Sequence, residues 1–141
     1  MPLPSVDFDA LRERGCVVTG GLGFIGSNLV HRLVGEGVRV RIVDAVVADH
    51  GANRRNVEGL DVEVLEADIG DARVATVLRD VGHVFNLAGQ VSHTASMTDP
   101  VLDLELNTIT HARFLEMLRQ ENPQARVVHT STRQVYGRVA T

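Results

Sequence analysis

A cluster of four glycines is the first group of residues that could do chemistry. The segment TGGLGFIG contains Gly20, Gly21, Gly23 and Gly26, which fit two patterns, G-x-G-x-x-G and G-x-x-G-x-x-G. Both patterns predict a glycine turn between a strand and a helix N-terminus, where free backbone N–H groups and the helix dipole bind a pyrophosphate. The phosphate can approach that backbone closely because glycine has no side chain. The alternative is a tight turn with no ligand.

An acidic residue, Asp44, follows at the end of the second predicted strand, 18 residues after Gly26. A carboxylate there can accept hydrogen bonds from both ribose hydroxyls of an adenosine, and it would repel a 2′-phosphate. NAD is therefore favoured over NADP as the cofactor. Ala45 offers no partner for a 2′-phosphate, whereas Arg54 and Arg55 in the next loop could supply one. The alternative is that Asp44 caps a turn.

Two further groups of candidate residues follow predicted strands. Asp68 and Ile69 come after the third strand, and the segment 87–93 comes after the fourth. The carboxyl ends of parallel strands meet at one edge of the sheet, where ligands bind at the switch in strand order. The alternatives are an ordinary turn at Asp68, a tight loop at Ala88 and Gly89, and solvated polar residues beyond them.

The elements that would position these residues alternate between strands and helices. Such alternation predicts an α/β fold with a Rossmann-type doubly wound parallel sheet of about five strands in the order 3-2-1-4-5. The fourth strand is apolar enough to be covered on both faces. Strands are predicted at 16–20, 38–44, 61–68, 83–89 and 126–132, and helices at 24–37, about 71–81 and 101–121.

The helical patterns also predict which residues face the core. Asp71 is placed to cap the second helix. The inward residues are expected to be Ile25, Leu29, Leu33 and Val34 in the first helix and Leu102, Leu106, Ile109 and Leu118 in the longest one.

Composition limits the class of protein. The 141 residues are 44% hydrophobic and 23% charged with a net charge of −4, which fits one globular domain and argues against nucleic acid or an anionic membrane as a partner. No apolar run has the length of a signal peptide or a membrane span, so a cytoplasmic location is expected. Cys16 is expected to be a buried, inert thiol, and the six scattered His residues predict no metal site.

From about Gly15 onward the sequence resembles a family, the extended short-chain dehydrogenase/reductases that act on nucleotide sugars, or NAD-dependent epimerase/dehydratase group. TGGLGFIG resembles the family's T-G-x-x-G-F-I-G, and ADI resembles its D-[IV] pair after strand 3. NLAGQVS and TRQVYG are similar to its segments after strands 4 and 5. QVSHTASMTDP and TRQVYG together resemble the 2-epimerases of CDP-sugars.

The resemblance implies roles for individual residues. It selects Gly20, Gly23 and Gly26 as the relevant glycines, and it places Asp68 on the adenine amine and Ile69 against the ring. It implies that Gln90, Ser92 and His93 face a nucleotide-diphosphate sugar. The residues implied to bind NAD are Gly20, Gly23, Phe24, Ile25, Gly26, Asp44, Asp68, Ile69, Leu87, Ala88 and Gly89.

The family's catalytic Tyr-x-x-x-Lys pair has no counterpart in the chain. Thr132 stands at the position of the family's Ser or Thr, which orients the substrate hydroxyl, but Tyr136 is followed four residues later by Ala140, and the chain contains no Lys. A phenol with a pKa of about 10 is a poor base without a cation beside it. Tyr136 is therefore not expected to be the general base.

These observations lead to an expectation for the whole chain. Residues 1–14 would be an N-terminal extension, and residues 15–141 an NAD-binding domain that is truncated before the Tyr-x-x-x-Lys pair and the substrate lobe. The parent enzyme would transfer hydride between a sugar carbon and NAD, and the chain alone would be inactive. The alternatives are a non-catalytic NAD-binding or regulatory module and an enzyme completed by a separate chain. Strand 5 would be an open edge, which a homodimer could cover. The resemblance implies that the helix at 101–121 corresponds to one of two helices that build a dimer interface in full-length relatives.

Overall fold

The central sheet has five parallel strands in the order β3-β2-β1-β4-β5. The computed structural model of the protein describes residues 8–47, 51–89 and 97–137. The predicted fold class and strand order are confirmed. Each strand is shorter than predicted: the first, fourth and fifth lose residues at the carboxyl end, the second at the amino end and the third at both ends. The strands are β1 (Cys16–Thr19), β2 (Val40–Asp44), β3 (Glu63–Glu66), β4 (His83–Asn86) and β5 (Arg126–His129).

Helices connect the strands on both faces of the sheet. The first helix, Asp9–Arg14, belongs to the segment that the sequence assigned to an extension, and its Leu11 is buried against the sheet. The domain boundary at residue 15 stays a prediction. The helices are α1 (Asp9–Arg14), α2 (Phe24–Gly35), α3 (Val74–Leu78), α4 (Pro100–Leu104) and α5 (Thr110–Glu121), with a π-helical turn at Glu105–Ile109 and 3-10 turns at Arg54–Val57 and Arg133–Tyr136.

Two hydrophobic clusters cover the two faces of the sheet. Successive side chains along a strand point to opposite faces. In β1, Val18 therefore packs on the side of α1 and α2, while Val17 packs on the side of α3 and α5. We call these clusters the α2-side core and the α5-side core.

The sheet is less well covered toward β5. In β4, Val84 is buried in the α5-side core, but Phe85 on the opposite face is half-buried. Of the two faces of this strand that were predicted to be covered, the described residues therefore cover one completely. Val128 pairs with Phe85 and is 50% exposed. All four residues of β5 are exposed at the edge of the sheet, as the strand order predicted.

Three of the four residues of α2 predicted to face the core do so, since Leu33 is buried and Leu29 and Val34 are partly buried against the α2-side core, but Ile25 does not. Ile25 is 69% exposed, whereas Gly26, Val30 and Leu33 are buried. The reason is the close approach of Gly26 to the loop that precedes the helix, which turns Ile25 outward.

The long helical segment turns a different face to the core. Its buried residues Thr110, Phe114 and Leu118 are spaced at i, i+4 and i+8, but Leu102 and Ile109 are exposed. The π-helical turn at Glu105–Ile109 explains the difference, since it breaks the 3.6-residue period on which the prediction relied.

The helix caps were predicted in part. Asp71 is not the N-cap of α3, which is Arg73, although the Asp71 carboxylate accepts a hydrogen bond from the backbone N–H of Arg73 at 2.8 Å. The predicted stop after Glu121 is correct, and Asn122 fixes it by donating from its amide to the carbonyl oxygens of Leu78 (2.9 Å) and Val81 (2.8 Å).

Candidate functional site

A crevice of about 690 Å³ opens at the carboxyl edge of the sheet, next to the switch between β1 and β4. Every residue that the sequence assigned to NAD lines it, so the structure brings that whole set together. Contact with a ligand remains a prediction for each of them. They are Gly20, Gly23, Phe24, Ile25, Gly26, Asp44, Asp68, Ile69, Leu87, Ala88 and Gly89.

Two of the glycines are required by the fold itself. Gly20 has a φ of +66°, and a Cβ there would lie 3.0 Å from the backbone nitrogen of Ala88. A Cβ on Gly26 would overlap the carbonyl oxygen of Gly20, so the first turn of α2 can pack against the loop only with glycine at this position. These two residues bring β1, α2 and the end of β4 together.

Gly23 differs from both, because neither its conformation nor its protein neighbours require glycine. Its φ of −77° and ψ of 176° suit any residue. Among the described residues, the one heavy atom within 4 Å of a Cβ built there is the Gly20 carbonyl oxygen, at 3.4 Å. Gly23 lines the crevice at the N-cap of α2, where the first N–H groups of a helix have no intrahelical partner. The space beside Gly23 therefore fits a phosphate group.

Gly21 has a purely structural position. A Cβ there would lie 2.7 Å from Cγ2 of Ile42 in the α2-side core, and Gly21 does not line the crevice. Of the two glycine patterns in the sequence, the one through Gly20, Gly23 and Gly26 is thus the one that faces the crevice.

Asp44 is buried, lines the crevice and is in direct contact with the glycine loop. One carboxylate oxygen accepts from the backbone N–H of Leu22 at 3.0 Å, and the other accepts from the N–H of Val46 at 2.9 Å. The bond to Leu22 fixes the carboxylate relative to the glycine loop, while each oxygen keeps a second lone pair for another donor. Arg54, the suggested partner for a 2′-phosphate, forms an ion pair with Glu66.

The residues after β3 have mixed surroundings. Asp68 is exposed, and its carboxylate accepts from the backbone N–H of Gly70 at 2.8 Å, which is the turn contact that the alternative interpretation described. Ile69 is almost fully buried and belongs to the α5-side core while it also lines the crevice. The adenine contacts assigned to both stay predictions.

Thr19 joins the end of β4 to the glycine loop. Its hydroxyl oxygen accepts from the backbone N–H groups of Leu87 and Ala88, both at 3.1 Å, and its own proton is donated to the amide oxygen of Asn86 at 2.7 Å. These bonds hold the backbone of the crevice wall in place. Three candidate substrate-binding residues, Gln90, Ser92 and His93, lie outside the described residues.

Several crevice residues were not found from the sequence. Leu102, Leu106 and Thr110 line the crevice at a spacing of four residues, and that spacing could have revealed a face turned to a ligand. Thr130 lines it as well, whereas Thr132, the suggested catalytic helper, is exposed and is not part of the lining, so its role stays a prediction. Tyr136 is also exposed.

His111 is a further crevice residue that was not predicted from the sequence. It lines the crevice, and its Nδ1 lies 3.0 Å from the amide nitrogen of Asn86. Loss of solvation lowers the pKa of His111, the neighbouring His129 lowers it further, and Asp68 partly opposes the shift. The ring is therefore neutral at pH 7.

Residues 8–47, 51–89 and 97–137 contain neither a metal-binding cluster nor a membrane-spanning helix. In these ranges no group of three His, Cys, Asp or Glu side chains is arranged to hold a metal ion. Nor does any helix there have the length and apolar character to cross a bilayer.

Comparison with known proteins identifies the family. The model of the NAD dependent epimerase/dehydratase family matches residues 16–141. The chain belongs to this family. The family is NAD-dependent, which agrees with the cofactor that the sequence predicted.

Nucleotide-sugar epimerases are among the relatives in sequence. The chain is 31% identical over 131 residues to CDP-paratose 2-epimerase of Salmonella typhi and 37% identical over 125 residues to UDP-glucose 4-epimerase of Mycolicibacterium smegmatis. Each match covers 86% of this chain but 37% and 40% of the relative. The chain thus spans well under half the length of the curated relatives it matches.

Solved structures show the same fold. UDP-N-acetylglucosamine 4-epimerase from Methanobrevibacter ruminantium M1, in complex with UDP-N-acetylmuramic acid, superimposes with a TM-score of 0.79 at 28% identity, covering 89% of this chain and 40% of that one. The Bordetella bronchiseptica enzyme WbmF in complex with NAD+ gives a TM-score of 0.76 at 33% identity, covering 88% and 38%.

Proposed function

We propose that the crevice binds NAD and that residues 15–141 are the NAD-binding portion of a nucleotide-sugar epimerase or dehydratase. The observation that carries this proposal is the space beside Gly23 at the N-terminus of α2, where, apart from the two chain neighbours of Gly23, the described residues place a single heavy atom within 4 Å of a Cβ. A buried carboxylate faces the same crevice. A phosphate site and a ribose-binding acid on one crevice are the two features that dinucleotide binding requires.

Different crevice residues would bind different parts of the dinucleotide. Gly23 and the first turn of α2 would hold the pyrophosphate, and the free lone pairs of Asp44 would accept the adenosine ribose hydroxyls. Asp68 and Ile69 would hold the adenine. The ion pair between Arg54 and Glu66 supports NAD over NADP, because it engages one of the two loop cations, Arg54 and Arg55, that could attract a 2′-phosphate.

In the complete enzyme, the bound NAD would supply hydride-transfer chemistry for a carbon of a nucleotide-diphosphate sugar. Thr132 would orient the reacting hydroxyl. We expect the 141-residue chain to bind NAD without turnover, because a base of the Tyr-x-x-x-Lys type needs a Lys and the sequence contains none. Measurable conversion of a UDP- or CDP-sugar by the purified chain would contradict this expectation.

The test is a calorimetric titration of the purified chain with NAD and with NADP. We expect NAD to bind more tightly than NADP, and Asp44→Asn to weaken NAD binding about tenfold, as expected for hydrogen bonds to a charged group. Asp61→Asn is the matched control, since it removes the same charge from an exposed residue outside the crevice lining. Absence of NAD binding, or tighter binding of NADP, would refute the proposal.

A further inference from the structure

A hydrogen-bond relay runs beneath the crevice from β1 through β4 to α5. It begins at the hydroxyl of Thr19, passes through the side-chain amide of Asn86 and ends at the imidazole rings of His111 and His129. Thr19 and Asn86 are both buried, so these groups must satisfy one another rather than solvent.

The relay assigns every proton in it. The Thr19 oxygen accepts from two backbone N–H groups, so its one proton goes to the Asn86 amide oxygen. The remaining atom of that amide is a nitrogen, which can only donate. It lies 3.0 Å from Nδ1 of His111 and 3.2 Å from Nδ1 of His129. Both Nδ1 atoms therefore accept, and a neutral ring that accepts at Nδ1 carries its proton on Nε2.

Among the described residues, the Nε2–H group of His111 has no acceptor. In the part of the chain that the structure describes, His111 makes one hydrogen bond, the bond to Asn86. Its ring lines the crevice beside Thr110. Protonation of the ring would place a second proton on Nδ1, facing the donor of Asn86, so the relay also keeps the ring neutral.

We propose that His111 is a binding residue of the crevice, held by Thr19 and Asn86 as the Nε2–H tautomer, and that it donates a hydrogen bond to an acceptor atom of the bound dinucleotide. Thr19 and Asn86 act as positioning residues. The inference rests on the proposed function for its ligand, whereas the tautomer is a property of the free protein.

Two substitutions separate a binding role from a packing role. The amide of Gln reaches the position of Nε2 and can donate there, while the carbonyl of Asn reaches the position of Nδ1 and can accept from Asn86. In NAD titrations we expect His111→Gln to stay within about threefold of the unchanged protein and His111→Asn to bind about three to ten times more weakly, the loss of one hydrogen bond. A packing role gives the reverse order.

The tautomer is measured on the protein without NAD, from the ¹⁵N chemical shifts of the His111 ring at pH 7.5. We expect the Nε2–H form, and a ring protonated at Nδ1 would overturn the relay. If the unchanged protein fails to bind NAD, both the proposed function and the proposed ligand of His111 are wrong. The tautomer measurement does not depend on that result. If the unchanged protein binds NAD and His111→Asn binds it equally well, the binding role of His111 alone is wrong.

Discussion

The substitution Gly23→Ala tests whether the glycine loop is shaped by a ligand. A methyl group at this position would meet one described protein atom, the Gly20 carbonyl oxygen at 3.4 Å, and the backbone angles suit alanine. Because alanine reduces the entropy of the unfolded chain, it stabilises the folded protein by about 0.4–1 kcal/mol. Alanine is, however, a poorer N-cap than glycine, and this costs a similar free energy. The two effects offset each other, so we expect the melting temperature to move by no more than about 4 °C.

The effect on NAD binding should be much larger. A methyl group beside the first turn of α2 would keep a phosphate oxygen from reaching the backbone N–H groups. Loss of two hydrogen bonds to a charged group, at about 1.5–3 kcal/mol each, weakens binding by at least a hundredfold. Titration with NAD measures the dissociation constant, and a thermal melt of the same sample measures the melting temperature.

Two other glycines serve as controls for this prediction. Gly26→Ala would overlap the Gly20 carbonyl oxygen and should lower both stability and affinity. Gly35→Ala, at the opposite end of α2, meets nothing within 4 Å and should raise stability without changing affinity. The reasoning is refuted if Gly23→Ala binds NAD normally, or if it unfolds as Gly26→Ala is expected to.

Three predictions concern the fold. Burial raises the pKa of Cys16 to about 12, so iodoacetamide at pH 8 should leave the native thiol unmodified and modify it in urea, as mass spectrometry would show. Desolvation is the main cause that lowers the pKa values of His83 and His111, so the unfolded chain binds more protons than the folded one as the pH falls. Urea midpoints should therefore fall as the pH drops through the His pKa of the unfolded chain, about 6.5, and equal midpoints at pH 7.5 and 5.5 would contradict this. Asn122→Ala removes two buried hydrogen bonds and should lower the free energy of unfolding by about 2 kcal/mol. The control Asn28→Ala, at an exposed position, should lower it by less than about 0.5 kcal/mol. Equal losses in urea denaturation would show that Asn122 does not fix the end of α5.

The strand order could be predicted because its signals are local. Apolar runs of strand length alternate with helical patterns, and right-handed crossovers leave few ways to arrange them. Helix orientation was predicted less well, since it depends on contacts that the pattern does not contain. Ile25 matches an inward position by spacing, yet the close contact between Gly26 and Gly20 rotates it outward. The π-helical turn at Glu105–Ile109 shifts the phase of the long helix in the same way.

The set of crevice residues could be predicted from strand ends and motifs, but the relay to His111 could not. Thr19, Asn86 and His111 are far apart in the sequence, and each has an ordinary local explanation. They meet because β1 pairs with β4 and α5 packs across the same face.

The structure also separates two reasons for glycine that the sequence pattern combines. Gly20 and Gly26 are needed by the backbone and by packing, so they would be required in a turn that binds nothing. Gly23 is needed by neither, because its angles are ordinary and its side-chain space is open. A fold selected for stability alone would gain from Ser, Asp or Asn there, since these residues are better N-caps than glycine and add less entropy to the unfolded state. The glycine that the protein does not need is therefore the strongest argument for a ligand.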